Sequence, residues 1–136
     1  MGVIIAFERI AEKETGGEAV SYNKFNAKKV VVHGETFDSL AEARRWRELT
    51  WLERGGVIKG LTRQVKYILI PNQYDESGKL LERSVTYIAD FVYQDENGQL
   101  VVEDVKGYRK GDAYQLFKLK QKVMYDKYGI LVREVQ

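Results

Sequence analysis

Apolar and polar positions along the chain follow two periods. Ala43, Trp46, Leu49 and Leu52 recur at helical spacing and predict a helix over residues 39–54. Asp38 or Ser39 supplies its N-cap, Glu42 stands three residues after Ser39 as a capping-box partner, and Gly55-Gly56 stops it. A second helical pattern covers residues 113–128, with Leu116, Phe117, Leu119, Val123 and Met124 on its apolar side and Gly129 at its end. Elsewhere the period is two. VVVHGETF (30–37) predicts a short β-ribbon turning at His33-Gly34, and residues 62–70 a strand closed by Pro71. Residues 83–93 and QLVVEDVKG (99–107) predict a hairpin turning at DENG (95–98), and residues 130–135 a last strand. Residues 72–79 read as a polar loop.

The order is therefore helix, three antiparallel strands, helix, strand. It implies an α/β fold whose last strand returns through a helix, pairs parallel to a neighbour and makes the central sheet mixed, with helices flanking it. One domain is expected over residues 30–136, preceded by an N-terminal extension and linker over residues 1–29. The opening MGVIIAFERIAEK has no basic start and no small-residue cleavage pattern, so it is not predicted to be a signal peptide. Its apolar run reads as an extra strand or helix, or as a surface that packs on a partner. No apolar run reaches the roughly 18 residues that a membrane-spanning helix needs.

Against this pattern some polar residues stand where they are costly. In VVEDVKG (101–107), strand alternation gives Val102, Asp104 and Lys106 one face, and Val101, Glu103 and Val105 the other. In the partner strand Ile88, Asp90 and Val92 share a face, opposite Tyr87, Ala89 and Phe91. The hairpin can bring Asp90 to Asp104, while Glu103 points away unless a bulge intervenes. A simpler explanation sets one carboxylate at a strand end and pairs the other with Lys106. Glu42 falls near the midline of the first helix's apolar stripe, where a carboxylate is costly unless paired, protonated or metal-bound; capping the helix is its alternative role. Lys120 lies within the apolar side of the second helix, either snorkelling along it or reaching the rim of the sheet.

Composition narrows the chemistry. Among 136 residues there is no cysteine and one histidine, His33. Disulfides, thiolate-held zinc, multi-histidine metal sites and most histidine-centred triads are excluded, and a reducing cytoplasm is the expected location. A metal would need oxygen ligands and so be hard, such as magnesium, manganese or calcium. The net charge of +2 permits nucleic-acid binding without demanding it. Lys106, Arg109, Lys110, Lys118, Lys120, Lys122 and Lys127 crowd the C-terminal part, as a solvated helix face or as phosphate contacts. Carboxylates converging with a lysine can hold Mg²⁺ beside a phosphate, and phosphodiester hydrolysis by that route needs neither histidine nor cysteine.

Asp90, then a hairpin, then Asp104-Val105-Lys106 resembles the PD-(D/E)XK nuclease signature. With 20 acids and 13 lysines in the chain, an acid-x-lysine spacing arises about twice by chance, so the context carries the resemblance. That context is an acid on the preceding strand, a helix with Glu42 before both, and a helix and strand after. The order matches a restriction-endonuclease-like αβββαβ core over about residues 38–135. The chain is also similar to a phage-associated branch of that superfamily, long catalogued as a domain of unknown function. The shared blocks are Phe37-Asp38-Ser39 with Glu42-Ala43; Gln64, Tyr67, Leu69 and Pro71; Tyr87, Ala89, Asp90 and Phe91; Asp104 to Gly107; and Phe117 to Lys122.

The resemblance implies that Asp90, Asp104 and Glu42 contribute to a metal site for Mg²⁺, with Mn²⁺ able to substitute. Lys106 becomes the catalytic lysine, and Gln64, Lys118, Lys120, Arg109 and Lys110 support the ligands or contact phosphate. Ala89 stands where the superfamily's name has proline. The implied activity is a metal-dependent DNA endonuclease, acting on branched or junction DNA in phage replication or recombination, in a bacterial or phage-infected cell. A homodimer is implied as well, with Trp46, Trp51 and the N-terminal apolar run as interface material. Two other readings remain at this point: a non-catalytic DNA-binding or assembly protein that keeps the fold, and a structural domain whose acids and lysines are simply paired.

Overall fold

A computed structural model describes residues 20–22 and 28–136. The apolar opening and most of the expected linker lie outside these residues. The chain divides into two compact units, one ending at Leu61 and the other comprising Thr62–Gln136.

In the first unit, β1 (Val20–Tyr22), β2 (Lys28–Val32) and β3 (Glu35–Phe37) form an antiparallel sheet in that order. The expected ribbon is β2–β3, with Val32 opposite Glu35. His33 and Gly34 both turn at positive φ, 50° and 79°, as a tight primed hairpin turn requires. The expectation of an extension and linker over residues 1–29 is corrected for Val20–Tyr22, which pairs with β2, Val20 opposite Val30. A β-branched and an aromatic residue complete an open strand edge there; nearby glycines concealed the signal.

Helix α1 (Leu40–Arg54) begins where predicted. Ser39 is the N-cap and its hydroxyl accepts the Glu42 N–H at 3.1 Å. The helix ends at Gly55, and Gly56 follows at positive φ. Its buried face holds Glu42, Ala43, Arg47 and Leu49. Phe37 and Ala43 pack with Val30 and Val32, and Trp46 joins them, its ring centroid 6.4 Å from that of Phe37. Trp46 is thus core material of this unit. Glu53, in the last turn of α1, accepts the Leu61 N–H at 2.8 Å.

The second unit is built on a four-stranded sheet in the order β4 (Lys59–Ile70), β7 (Val85–Gln94), β8 (Leu100–Val105), β9 (Arg133–Val135). β7 and β8 are antiparallel, whereas β8 and β9 are parallel, so the sheet is mixed as expected. The β7–β8 turn is held by the Asp95 carboxylate, which accepts the Asn97 and Gln99 N–H groups at 2.9 Å. The same device at Asp75 turns a small hairpin, β5 (Gln73–Tyr74) and β6 (Leu80–Glu82), whose first strand and turn lie in the stretch expected to be a polar loop.

Helix α2 (Asp112–Tyr128) connects β8 to β9 and closes at Gly129, which sits at φ 67°. Its Phe117 and Met124 form the core with Leu69, Tyr87, Ala89, Val92, Val102 and Val132. Leu116 and Leu119, expected on the apolar side, are instead 51% and 58% exposed. The stripe that meets the sheet is narrow, running through Tyr114, Phe117 and Met124, and leaves both leucines beside it. The molecule is thus a mixed α/β protein with a mixed sheet and two helices among its described residues. No helix among them is long and apolar enough to cross a membrane.

Replacing Ser39 with alanine should remove about 1 kcal/mol from the start of α1. Hydrogen exchange should read it as roughly fivefold faster exchange of the first-turn amides, with α2 amides unaffected.

Candidate functional site

The site forms where the β7–β8 ladder ends. Backbone pairing runs from Gln94 opposite Leu100 to Phe91 opposite Glu103. At the next position a side chain takes over: the Val105 N–H donates to Asp90 Oδ2 at 2.8 Å. The local geometry differs from strict alternation. Tyr87 and Ala89 share one apolar cluster with Val92 and Val102, although alternation would set Ala89 and Val92 on opposite faces. The phase of β7 therefore shifts at Asp90. This corrects the expected opposition of Tyr87 to Asp90, and the Tyr87 hydroxyl reaches Asp104 Oδ2 at 2.9 Å.

Asp90 and Asp104 meet. Burial, a hydrogen bond to the Asp104 carboxyl and the Asp104 charge push the Asp90 carboxyl up to about 7, opposed by the Val105 N–H and the Lys106 charge. A half-buried carboxyl set beside a second one holds its proton more tightly, because ionising it there is costly. Lys106 Nζ lies 3.4 Å from Asp104 Oδ1 and 4.3 Å from the centroid of the Phe117 ring, which holds the amine between a carboxylate and an aromatic face. Burial and then the Asp104 charge push the Tyr87 phenol upward, so it remains a donor. The Gln64 amide points to Asp90 Oδ1 at 3.4 Å. Gln64 sits at φ 52° within β4, a conformation that costs a non-glycine residue on the order of 1–3 kcal/mol.

The chain matches, over residues 22–135, the family described as "Protein of unknown function (DUF1064)". It belongs to that family. No curated protein and no solved structure matches it.

In this DUF1064 protein the predicted residues separate into groups. Asp90, Asp104, Lys106 and Gln64 come together. Glu103, one residue from Asp104, is fully buried and accepts a hydrogen bond from the Tyr93 hydroxyl. Its cross-strand partner is Phe91, while Val102, on the alternate face, pairs with Val92, so Glu103 and Asp104 point to opposite sides as expected. Glu42 belongs to the first unit, where it is 4% exposed. Lys118 and Arg109 converge on Glu134, Lys118 Nζ at 3.1 Å from Oε2 and Arg109 Nε at 3.8 Å from Oε1, with the Tyr114 hydroxyl at 2.8 Å. Burial raises the Glu134 carboxyl, but the hydrogen bonds from Tyr114 and Lys118 outweigh it and leave it below its ordinary value. Lys110 is exposed on the loop before α2. Lys120 lines a cleft with Lys106.

Sequence reasoning missed Tyr87 and Phe117 as the partners that fix Asp104 and Lys106. An aromatic hydroxyl three residues before Asp90 was the available signal, hidden because alternation assigned it to the wrong side.

Among the described residues no group of three or more histidine, aspartate or glutamate side chains is arranged to hold a metal. The donor set is therefore the pair Asp90 and Asp104, and it fits a hard divalent ion. Mg²⁺ commonly takes one or two carboxylates and completes its shell with water and phosphate. The Asp104–Lys106 pair gives Asp104 a structural role and the Val105 N–H gives Asp90 one, yet neither explains why the two carboxyls are set together.

Carbon-13 NMR of the metal-free protein should show Asp90 titrating near 7. With its folded value above its unfolded one, Asp90 stabilises the fold fully below about pH 4, and that contribution is lost as pH rises through about 7. Metal-free protein should accordingly melt lower at pH 8 than at pH 5, and Asp90→Asn should flatten that slope. Tyr87→Phe, which strips Asp104 of its buried donor, should cost about 1.5–3 kcal/mol in urea denaturation.

Proposed function

We propose that this DUF1064 protein is a metal-dependent DNA endonuclease of PD-(D/E)XK type, with Asp90 and Asp104 holding Mg²⁺ or Mn²⁺ and Lys106 as the catalytic lysine. The observation that carries the reading is the meeting of the Asp90 and Asp104 carboxyls beside a lysine fixed at 3.4 Å from one of them. The order α1, β4, β7, β8, α2, β9, with its parallel last strand, supports a restriction-endonuclease-like core. Glu42 enters the reading as a third acid from the sequence motif alone.

When bound, the ion supplies Lewis-acid polarisation of the phosphodiester and of the attacking water. The protein supplies orientation and charge. Tyr87 fixes Asp104 through one oxygen, and the Val105 N–H fixes Asp90 through one oxygen. Each carboxylate thereby keeps a set direction with no reorganisation when substrate arrives. The Lys106 amine, braced on the Phe117 ring, orients the water or offsets negative charge that builds on the phosphoryl oxygens. Lys110 and the helix lysines add sequence-independent, salt-sensitive phosphate contacts. Branched DNA of replication or recombination is the proposed substrate and a homodimer the proposed assembly. Both rest on kinship of fold.

The test is incubation with a four-way junction, a flap, single strands and linear duplex, in DNA and RNA forms, with Mg²⁺ or Mn²⁺. Asp104→Ala and Lys106→Ala should each reduce cleavage by at least about a hundredfold, the usual scale for losing a charge-stabilising or proton-transfer group. Cleavage that survives both substitutions would remove this site from the reaction. Binding without cleavage in either metal would favour a DNA-binding protein that keeps the fold.

A further inference from the structure

A cleft of about 290 Å³ opens beside the aspartate pair, between the start of β7 and the first half of α2. Tyr87 and Lys106, the two residues that grip Asp104, also line it, so the cleft is continuous with the candidate site. Its remaining walls are of two kinds. Lys120 and Thr86 are polar, and neither side chain makes a hydrogen bond or ion pair among the described residues. Ile88 and Leu116, on opposite walls, are aliphatic and half exposed, at 50% and 51%.

The chemistry of this lining selects its occupant. Lys106 has Asp104 as its carboxylate partner at 3.4 Å, and Lys120, a half-buried residue, makes no ion pair among the described residues, so the two amines together can receive an anion. Two facing aliphatic walls call for a flat, apolar body attached to it. The volume falls at the lower end of small-molecule pockets, about 300–1,000 Å³, which admits one such unit and not a stacked base pair.

We propose that this cleft binds one unpaired nucleotide of the substrate strand, its phosphate between Lys106 and Lys120 and its base between Ile88 and Leu116. The proposal deepens the nuclease reading and rests on it for the neighbouring phosphate that is cleaved. It names the substrate class by physics. Drawing a nucleotide out of an intact duplex costs a few kcal/mol and least where the strand is already unpaired. Flaps, forks and single strands are therefore the preferred substrates, and continuous duplex the poor one.

Binding can be read without metal or turnover. Thymidine 5′-monophosphate is titrated into the metal-free full chain while NMR follows the Ile88 and Leu116 methyls and the Lys120 amide, with thymidine and inorganic phosphate as separate ligands. The monophosphate should shift all three residues and bind more tightly than either fragment. Lys120→Ala should weaken it roughly tenfold, the effect of one charged contact. Leu116→Glu should abolish binding, while Leu119→Glu, equally exposed at 58% but outside the cleft, should leave it unchanged. Binding no tighter than that of phosphate alone, or Leu116→Glu and Leu119→Glu behaving alike, would overturn the proposal.

Cleavage assays separate this proposal from the reading beneath it. Leu116→Glu should lose the preference for flap over duplex, whereas Asp104→Ala should lose cleavage of both. Monophosphate binding in a protein that cuts nothing supports the cleft and sinks the nuclease reading. Equal cutting of flap and intact duplex by the unmodified protein sinks the cleft and leaves the nuclease.

Discussion

Two carboxyl groups buried against each other cannot both carry a full charge unless something positive lies between or beside them. Asp104 is buried and Asp90 half-buried beside it, so they approach that relation, and the surrounding structure is arranged around it. The β7–β8 ladder stops one residue short of the pair, and the Val105 N–H turns to the Asp90 carboxylate. Tyr87 gives its hydroxyl to Asp104, Gln64 adopts a left-handed backbone with its amide toward Asp90, and Lys106 settles between Asp104 and Phe117. Each contact relieves part of the cost of burying like charges. None removes it, because the Asp90 carboxyl still stands near 7.

The same unit keeps its other charges out of this contest by giving them partners elsewhere. Glu103 is fully buried one residue from Asp104, yet the alternation of β8 sends it to the Tyr93 hydroxyl. Glu134 gathers Arg109, Lys118 and Tyr114. Of the basic residues crowding the C-terminal part, these two are thereby committed to Glu134, Lys106 is paired with Asp104, and Lys106 and Lys120 share the wall of one cleft. A count of positive charge along the sequence treats all of these residues alike. Their partners distinguish them.

Local signals were legible wherever a short stretch decides its own conformation. Ser39 and Gly55 bound the first helix, Gly129 ends the second, and Asp95 to Gly98 turns the hairpin, because caps and turns are satisfied within a few residues. The parallel last strand was legible too, since a helix must intervene before it. Val20–Tyr22 and the β5–β6 hairpin were missed because their strands are too short for a two-residue period to show. Leu116 and Leu119 were assigned to the core because periodicity gives the width of an apolar stripe but not how much of it the sheet covers.

The sequence by itself determined which residues could meet: a two-residue period in 101–107 set Asp104 and Lys106 on one side and Glu103 on the other, and the hairpin brought Asp90 to their level. It could not determine the company they keep. The shift in phase at Asp90, which carries Tyr87 to Asp104, arises because a buried carboxylate replaces a backbone rung. The seat of Lys106 over Phe117 and the opening of the cleft toward Lys120 follow from how α2 lies on the sheet. Those outcomes depend on distances between segments far apart in the chain, and no local pattern encodes such distances.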